Sequence, residues 1–216
     1  MDESLWGRVL SLNQETGRGR RGSNWETIEG ALACTWSIPF AESGLLNPGL
    51  LQTSIGAAIS SALGCYCKWP NDLINPHGVK LGGVLIESST SESVLRVGVG
   101  INRDSALLGN TEIAGWLEYL PEMELMDVFS LVDASMASLL ESKQNIPEVS
   151  ESDIVEISWN GLANILSQGA RIRLGDTLHR IVGMHTNGRL EIEESGYVGI
   201  TDEVGRLEWE ISLAES

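Results

Sequence analysis

Hydrophobic periodicity and turn residues divide the chain into readable segments. Gly7–Asn13 (GRVLSLN) reads as a short strand that runs into a glycine- and arginine-rich loop, Gln14–Trp25. The apolar run Gly30–Ile38 (GALACTWSI) predicts a second strand. Asn47 and Pro48 then supply an N-cap and a first-turn proline for a helix whose apolar face carries Leu51, Ile55, Ala58, Ile59 and Ala62. Cys65–Trp69 reads as a strand ended by Pro70, and Pro70-Asn71-Asp72 and Asn75-Pro76-His77-Gly78 read as turns. Val79–Glu87 and Val94–Asn102 pair as neighbouring strands.

Beyond Asn102 a looser acidic segment leads to two amphipathic helices. The first carries Val128, Leu131, Val132 and Leu139; the second carries Ile154, Ile157, Leu162 and Ile165. Ser150 with Asp153 resembles a capping box for the second. After Gln168-Gly169 the texture changes to short β-rich runs separated by Gly-Asp, Asn-Gly and Ser-Gly turns. These runs predict a small barrel and a domain boundary near residue 168, with one domain over 1–167 and a second over 168–216. The fold class is α+β, a mixed sheet with flanking helices plus a small β-barrel.

At 216 residues with 42% hydrophobic and 20% charged positions, the chain builds a core without needing disulfides or metals. Its net charge of −16 opposes general binding to nucleic acid or to an anionic membrane surface. Most of that excess lies between Leu81 and Asn160, where fourteen acidic residues face Arg96, Arg103 and Lys143. Cys34, Cys65 and Cys67 match no zinc or redox spacing and read as reduced thiols. The opening residues carry no secretory signal and no window is a membrane span, so the expected location is the cytoplasm.

Three clusters carry candidate chemistry. Gly17-Arg18-Gly19-Arg20-Arg21-Gly22 satisfies G-x-G-x-x-G, but no helical period follows, so it is not a dinucleotide fingerprint. Its three arginines stand isolated in an acidic chain, which suits a small, highly charged ligand. The second cluster is Lys68-Trp69-Pro70-Asn71-Asp72 followed by Lys80-Leu81-Gly82-Gly83-Val84-Leu85; alternation puts Lys80 on the sheet face opposite Val79 and Leu81, where it can enter a pocket. In the third, Val97-Gly98-Val99-Gly100-Ile101-Asn102, two glycines clear one strand face for a ligand or another backbone, and Asn102 offers a donor and an acceptor at the strand end. Hydrolase chemistry finds no G-x-S-x-G, and His77, His179 and His185 form no i, i+4 metal pair.

Taken in order, GRGRRG-x-x-W, KWPND, KLGGVL and GVGIN resemble the biotin protein ligases, also called biotin–[acetyl-CoA-carboxylase] ligases. The resemblance covers almost the whole chain and implies a class II aminoacyl-tRNA synthetase-like catalytic fold with a small SH3-like C-terminal domain. It implies ATP-dependent formation of biotinyl-5′-AMP, then transfer of biotin to a lysine of a biotin carboxyl carrier domain, with biotin, ATP and Mg²⁺ as ligands. Arg18, Arg20 and Lys80 match the family's positions around the carboxylate and α-phosphate, and Gln14, Gly19 and Trp25 complete the biotin pocket. Arg20, Arg21, Asn71 and Asn102 are placed at the nucleotide, and Asp72 at the metal. The glycine-rich segment is expected to close over the adenylate and exclude water.

The sequence departs from the family where it begins, since the strand and helix with a Ser-Thr-Asn signature are expected ahead of Gly7, and Ser23 stands where a basic residue is common. A degenerate module that binds biotin or its adenylate without efficient turnover is the alternative. A lipoate or octanoate transferase shares the broader fold without requiring the arginine loop. Neither nucleic acid nor membrane is an expected partner; a homodimer through an exposed strand is left open.

Overall fold

The computed structural model describes residues 6–39, 47–89, 94–145, 151–167, 171–174, 176–193, 196–198 and 208–210. The chain opens with β1 (Gly7–Leu10), β2 (Gly17–Arg18), a 3₁₀ turn at Arg20–Gly22, β3 (Asn24–Trp25) and β4 (Leu32–Pro39). Next come α1 (Pro48–Leu63), β5 (Tyr66–Lys68), β6 (Asp72–Ile74), β7 (Lys80–Ser89) and β8 (Val94–Ile101). β9 (Ala106–Leu108), β10 (Thr111–Ile113), α2 (Leu125–Asn145) and α3 (Glu151–Ser167) follow. The C-terminal strands are β11 (Arg171–Leu174), β12 (Thr177–His179), β13 (Ile181–Met184), β14 (Leu190–Ile192), β15 (Gly196–Val198) and β16 (Glu208–Glu210).

Among the described residues, eight strands form one mixed sheet along the path β1-β4-β8-β7-β10-β9, with β6 also paired to β7 and β5 to β6. Only the β10–β7 contact is parallel. The expected pairing of the two long central strands is found, with Gly82 opposite Ile101 and Ser89 opposite Val94.

Alternation gives β8 two clean faces. Leu95, Val97, Val99 and Ile101 are buried, whereas Arg96, Gly98 and Gly100 face the other side. The buried face joins Leu32, Trp36 and Ile38 of β4 in one core with Leu51, Ile55 and Ile59 of α1. Burying a side chain of this size contributes about 1.5–3 kcal/mol.

α1 forms where its caps predict. Asn47 Oδ1 accepts from the Gly49 N–H at 2.9 Å, and Gly64 ends the helix in the left-handed region at φ 69°. Its burial differs from a single apolar stripe: Ala62 is exposed and Ala58 half-buried, while Gln52, Thr53, Ser54 and Ser60 are buried. The reason is that α1 lies between the sheet and the helices α2 and α3, so nearly its whole circumference is covered.

α2 buries Val128, Val132 and Leu139 as expected, with Leu131 half-buried. On α3, Ile154 and Leu162 are buried but Ile157 faces solvent, and Ser158 takes the inner position with its hydroxyl donating to the Ile154 carbonyl. The side chain of Ile165 and the Ser150 cap lie outside the described residues. The acidic segment after Asn102 is not featureless: β9 and β10 form a hairpin across Gly109, at φ 61°. The glycine-arginine stretch, expected as a loop, is likewise a small hairpin in which β2 pairs β3 around the 3₁₀ turn. Among the described C-terminal residues, two three-stranded sheets run β12-β11-β16 and β13-β14-β15.

α1 and α3 cross at Gly161, where an added Cβ would lie 2.9 Å from Ala57 Cα. Gly161→Ala gains helix propensity of about 1 kcal/mol but forces the helices apart. With overpacking costing about 1–3 kcal/mol, a net loss of up to about 2 kcal/mol is expected in a denaturant titration.

Candidate functional site

The uncovered face of the sheet floors a cavity of about 600 Å³. Its floor follows from strand register: Gly100 lies between Ala33 and Gly83, Gly98 between Thr35 and Leu85, and Arg96 between Ser37 and Glu87. Small residues at one end leave depth, and a cation with a carboxylate marks the other. Gly98 stays open, its nearest outside neighbours being Leu85 atoms at 3.8 Å or more. Gly100 does not: the Trp25 indole rests on it, so an added Cβ would lie 2.7 Å from Trp25 Cε2. The strand glycine admits a neighbouring aromatic ring rather than a ligand.

The β2–β3 hairpin and the Trp69–Asp72 turn wall this floor. Arg18 reaches the Glu87 carboxylate at 3.4 Å, and an Arg20 guanidinium nitrogen donates to Asn71 Oδ1 at 3.4 Å. Lys80 Nζ lies 2.7 Å from Asp72 Oδ1 and 5.6 Å from the centre of the Trp25 ring. With Lys80 42% exposed, that ion pair contributes about 1 kcal/mol or less; its effect is to aim the ammonium.

Lys80 reaches the cavity through an irregularity. Strict alternation from the buried Val84 would put it on the core side of β7. Between β6 and β7, however, Leu73 faces Gly82 while Ile74 faces Lys80, so Leu81 is an extra residue in the ladder. This bulge buries Leu81 and Gly82 in succession and resets the alternation before Lys80.

Of the residues singled out in the sequence, Gln14, Arg18, Gly19, Arg20, Trp25, Asn71, Asp72 and Lys80 all line this cavity. Gln14 Oε1 accepts from the Thr27 hydroxyl at 2.8 Å, which fixes its amide. Trp25 Nε1 is buried and has no hydrogen-bond acceptor among the described residues. Asn102 is not brought to the cavity lining: it is buried at the end of β8 and its side chain donates to the Ala114 carbonyl at 3.2 Å. That is a strand-end brace. The Arg21 side chain lies outside what is described.

Asp72 serves as counter-ion to Lys80. Among the described residues, no three His, Cys, Asp or Glu side chains gather as metal ligands. Arg96, Glu87, Thr35 and Ser11 also line the cavity and escaped the sequence reading. For Arg96 the signal was available, because it shares its strand face with Gly98 and Gly100. Burial, then Asp133, pushes the Cys34 thiol up to about 11, and burial pushes Cys65 up to about 12. With Cys67 raised further by burial, no cysteine here is a ready nucleophile.

The family model for the biotin/lipoate A/B protein ligase family matches residues 7–104, the stretch that builds the floor, the hairpin and the Trp69–Asp72 wall. Over those residues the chain is similar to that family. Its relatives include a biotin–[acetyl-CoA-carboxylase] ligase of Paracoccus denitrificans, 36% identical over 110 residues, covering 46% of this chain and 44% of that protein. The bifunctional ligase/repressor BirA of Salmonella typhimurium is 26% identical over 199 residues, covering 86% of this chain and 61% of that one. The chain thus spans about half of the length of the curated relatives it matches. Among solved structures, the biotin protein ligase from Aquifex aeolicus in complex with biotin and ATP superposes with a TM-score of 0.69 at 23% identity, covering 95% of this chain and 89% of that one. The family's catalytic fold, a mixed sheet with flanking helices, is the fold of this chain. Among the described residues, no helix is long and apolar enough to cross a membrane.

Gly100→Ala is expected to displace the Trp25 ring, because only one of them can occupy the notch. Near-ultraviolet circular dichroism should change while far-ultraviolet ellipticity holds, and Lys80 should lose its aromatic neighbour.

Proposed function

We propose that this chain acts as an ATP-dependent biotin ligase. The observation that carries the reading is the convergence of Arg18, Arg20 and Lys80 on one cavity floored by a sheet face of small residues. In the first step a biotin carboxylate oxygen attacks the α-phosphorus of ATP, forming biotinyl-5′-AMP and expelling pyrophosphate. Two anions must meet, so cations preplaced beside the reacting oxygens lower the barrier. Lys80 and Arg18 are assigned to the carboxylate, and Arg20 to the α-phosphate oxygens. Asp72 and Glu87 hold Lys80 and Arg18 until the ligand's own negative charge takes their place.

Gln14 is assigned to the ureido ring, since one amide can both donate and accept. The unpartnered Trp25 N–H, buried at the cavity wall, supplies a further donor to a bound ligand. In the second step the neutral amine of a carrier lysine attacks the acyl carbon and AMP leaves. Magnesium belongs to this reading as part of the nucleotide substrate, held on its phosphates. The partner is a biotin carboxyl carrier domain, the setting the cytoplasm, and residues 168–216 a small SH3-like unit appended to the catalytic residues 1–167.

Biotin-dependent exchange of labelled pyrophosphate into ATP tests the first step directly. Exchange is expected with the unmodified chain, and its absence at saturating biotin, ATP and magnesium would reduce the protein to a binding module. Arg20→Ala is expected to cost about 2 to 4 kcal/mol of transition-state stabilisation in the same assay.

A further inference from the structure

Strand register arranges the cavity floor in rows. In the first, Gly100 lies between Ala33 and Gly83. In the second, Gly98 lies between Thr35 and Leu85, with Val9 beyond Thr35. In the third, Arg96 lies between Ser37 and Glu87. Successive rows are two residues apart, about 7 Å. The Trp25 ring rests on Gly100 in the first row, whereas Gly98 in the second stays open. The open floor is therefore a strip in which Val9 and Leu85 flank a bare glycine.

The two borders of that strip differ in chemistry. Asp72 stands opposite Gly83 and holds Lys80 Nζ at 2.7 Å, which sets the ammonium level with the first row. Arg96 and Glu87 occupy the third row, about 14 Å further along the strands. Arg96 is half-buried and lines the cavity. A ligand laid over Gly98 covers the cavity side of Arg96 and strips water from it. Removing water from a charged donor costs free energy unless the ligand offers an acceptor there. Glu87, directly across from Arg96 in the ladder, offsets its charge, so a neutral acceptor suits this end better than a second carboxylate.

From this we infer that Arg96 is a specificity-determining residue of the cavity. It admits acids that carry a neutral acceptor at the end far from the carboxylate, as the ureido carbonyl of biotin does. It excludes acids that end in an alkyl chain or a dithiolane ring, as octanoate and lipoate do. The inference rests on the ligase reading, in which the carboxylate goes to Lys80, and it adds a charged donor to the Gln14 amide assigned to the same ring. The distinction is a real one for this chain, because the matched family takes in biotin and lipoate ligases alike. A site built to donate to a polar group rejects an analogue lacking that group far more strongly than an apolar pocket rejects a misfit.

The experiment titrates biotin, lipoate and octanoate by calorimetry into the full chain and into Arg96→Leu and Arg96→Lys. The unmodified chain is expected to bind biotin at least about 100-fold more tightly than either other acid. Arg96→Leu, which removes charge and donors, is expected to weaken biotin about 10- to 100-fold and to tighten lipoate and octanoate about 3- to 10-fold. Arg96→Lys keeps the charge but loses the planar fork, and its preference for biotin should fall between the two. A folding defect lowers all three affinities together, so movement in opposite directions identifies a role in specificity. Equal binding of biotin and lipoate by the unmodified chain would overturn the inference, as would an unchanged ratio of affinities in Arg96→Leu. Where Arg96→Leu folds poorly, Arg96→Lys decides: a lowered ratio upholds the inference and an unchanged one refutes it. If the unmodified chain does not bind biotin, the ligase reading fails. The lipoate and octanoate titrations then decide alone, a gain in Arg96→Leu upholding the exclusion of apolar tails and no gain refuting it.

Discussion

Arg18, Arg20 and Lys80 face one cavity, and each has a partner that offsets its charge or orients it. At an effective dielectric near 20, two unit charges 4 Å apart repel by about 4 kcal/mol, enough to splay an unsupported cluster. Here Asp72 sits on Lys80, Glu87 on Arg18, and the Asn71 amide oxygen on Arg20. Each partner is placed by backbone pairing rather than by its own side chain: Asp72 by the β6–β7 ladder, Glu87 by its register with Arg96, Asn71 by the turn tied to Val84. On the proposed reading, a ligand's negative groups take the place of these internal partners, so binding need not neutralise bare charge.

How far the sequence disclosed this depends on the range of the forces involved. The Asn47-Pro48 start of α1 and the Gly98 and Gly100 face of β8 are local matters, and they are found where spacing and capping chemistry put them. Lys80 was assigned to the pocket face by alternation with its immediate neighbours, which holds. What makes it true across the whole strand is the extra residue at Leu81, and a bulge depends on pairing with β6, which no local pattern records. Asn102 shows the opposite case. Its motif and its strand-end place suggested a ligand, but the nearest carbonyl in space, Ala114, belongs to a segment twelve residues on and takes its amide. Ile157 follows an apolar period yet faces water, while Ser158 beside it takes the inner position on α3 and satisfies its hydroxyl on the Ile154 carbonyl.

α1 links these features. It carries Thr53 to the Pro70 carbonyl, Gln52 to the Ile86 N–H at 3.3 Å, and its first turn to Gly188. A helix buried nearly all round has few water-facing positions at which to absorb change. Its buried polar side chains are accordingly spent on β7, the Trp69–Asp72 turn or its own carbonyls, as with Ser54 and Ser60. The core and the cavity wall therefore share one element.

The seating of Trp25 against Gly100 bears on how the arginine hairpin can move. A flap keyed into the sheet by an aromatic tooth at its base pivots rather than peels. The arc between Gly19 and Ser23, beyond that tooth, is the part of the hairpin this contact leaves free to adjust.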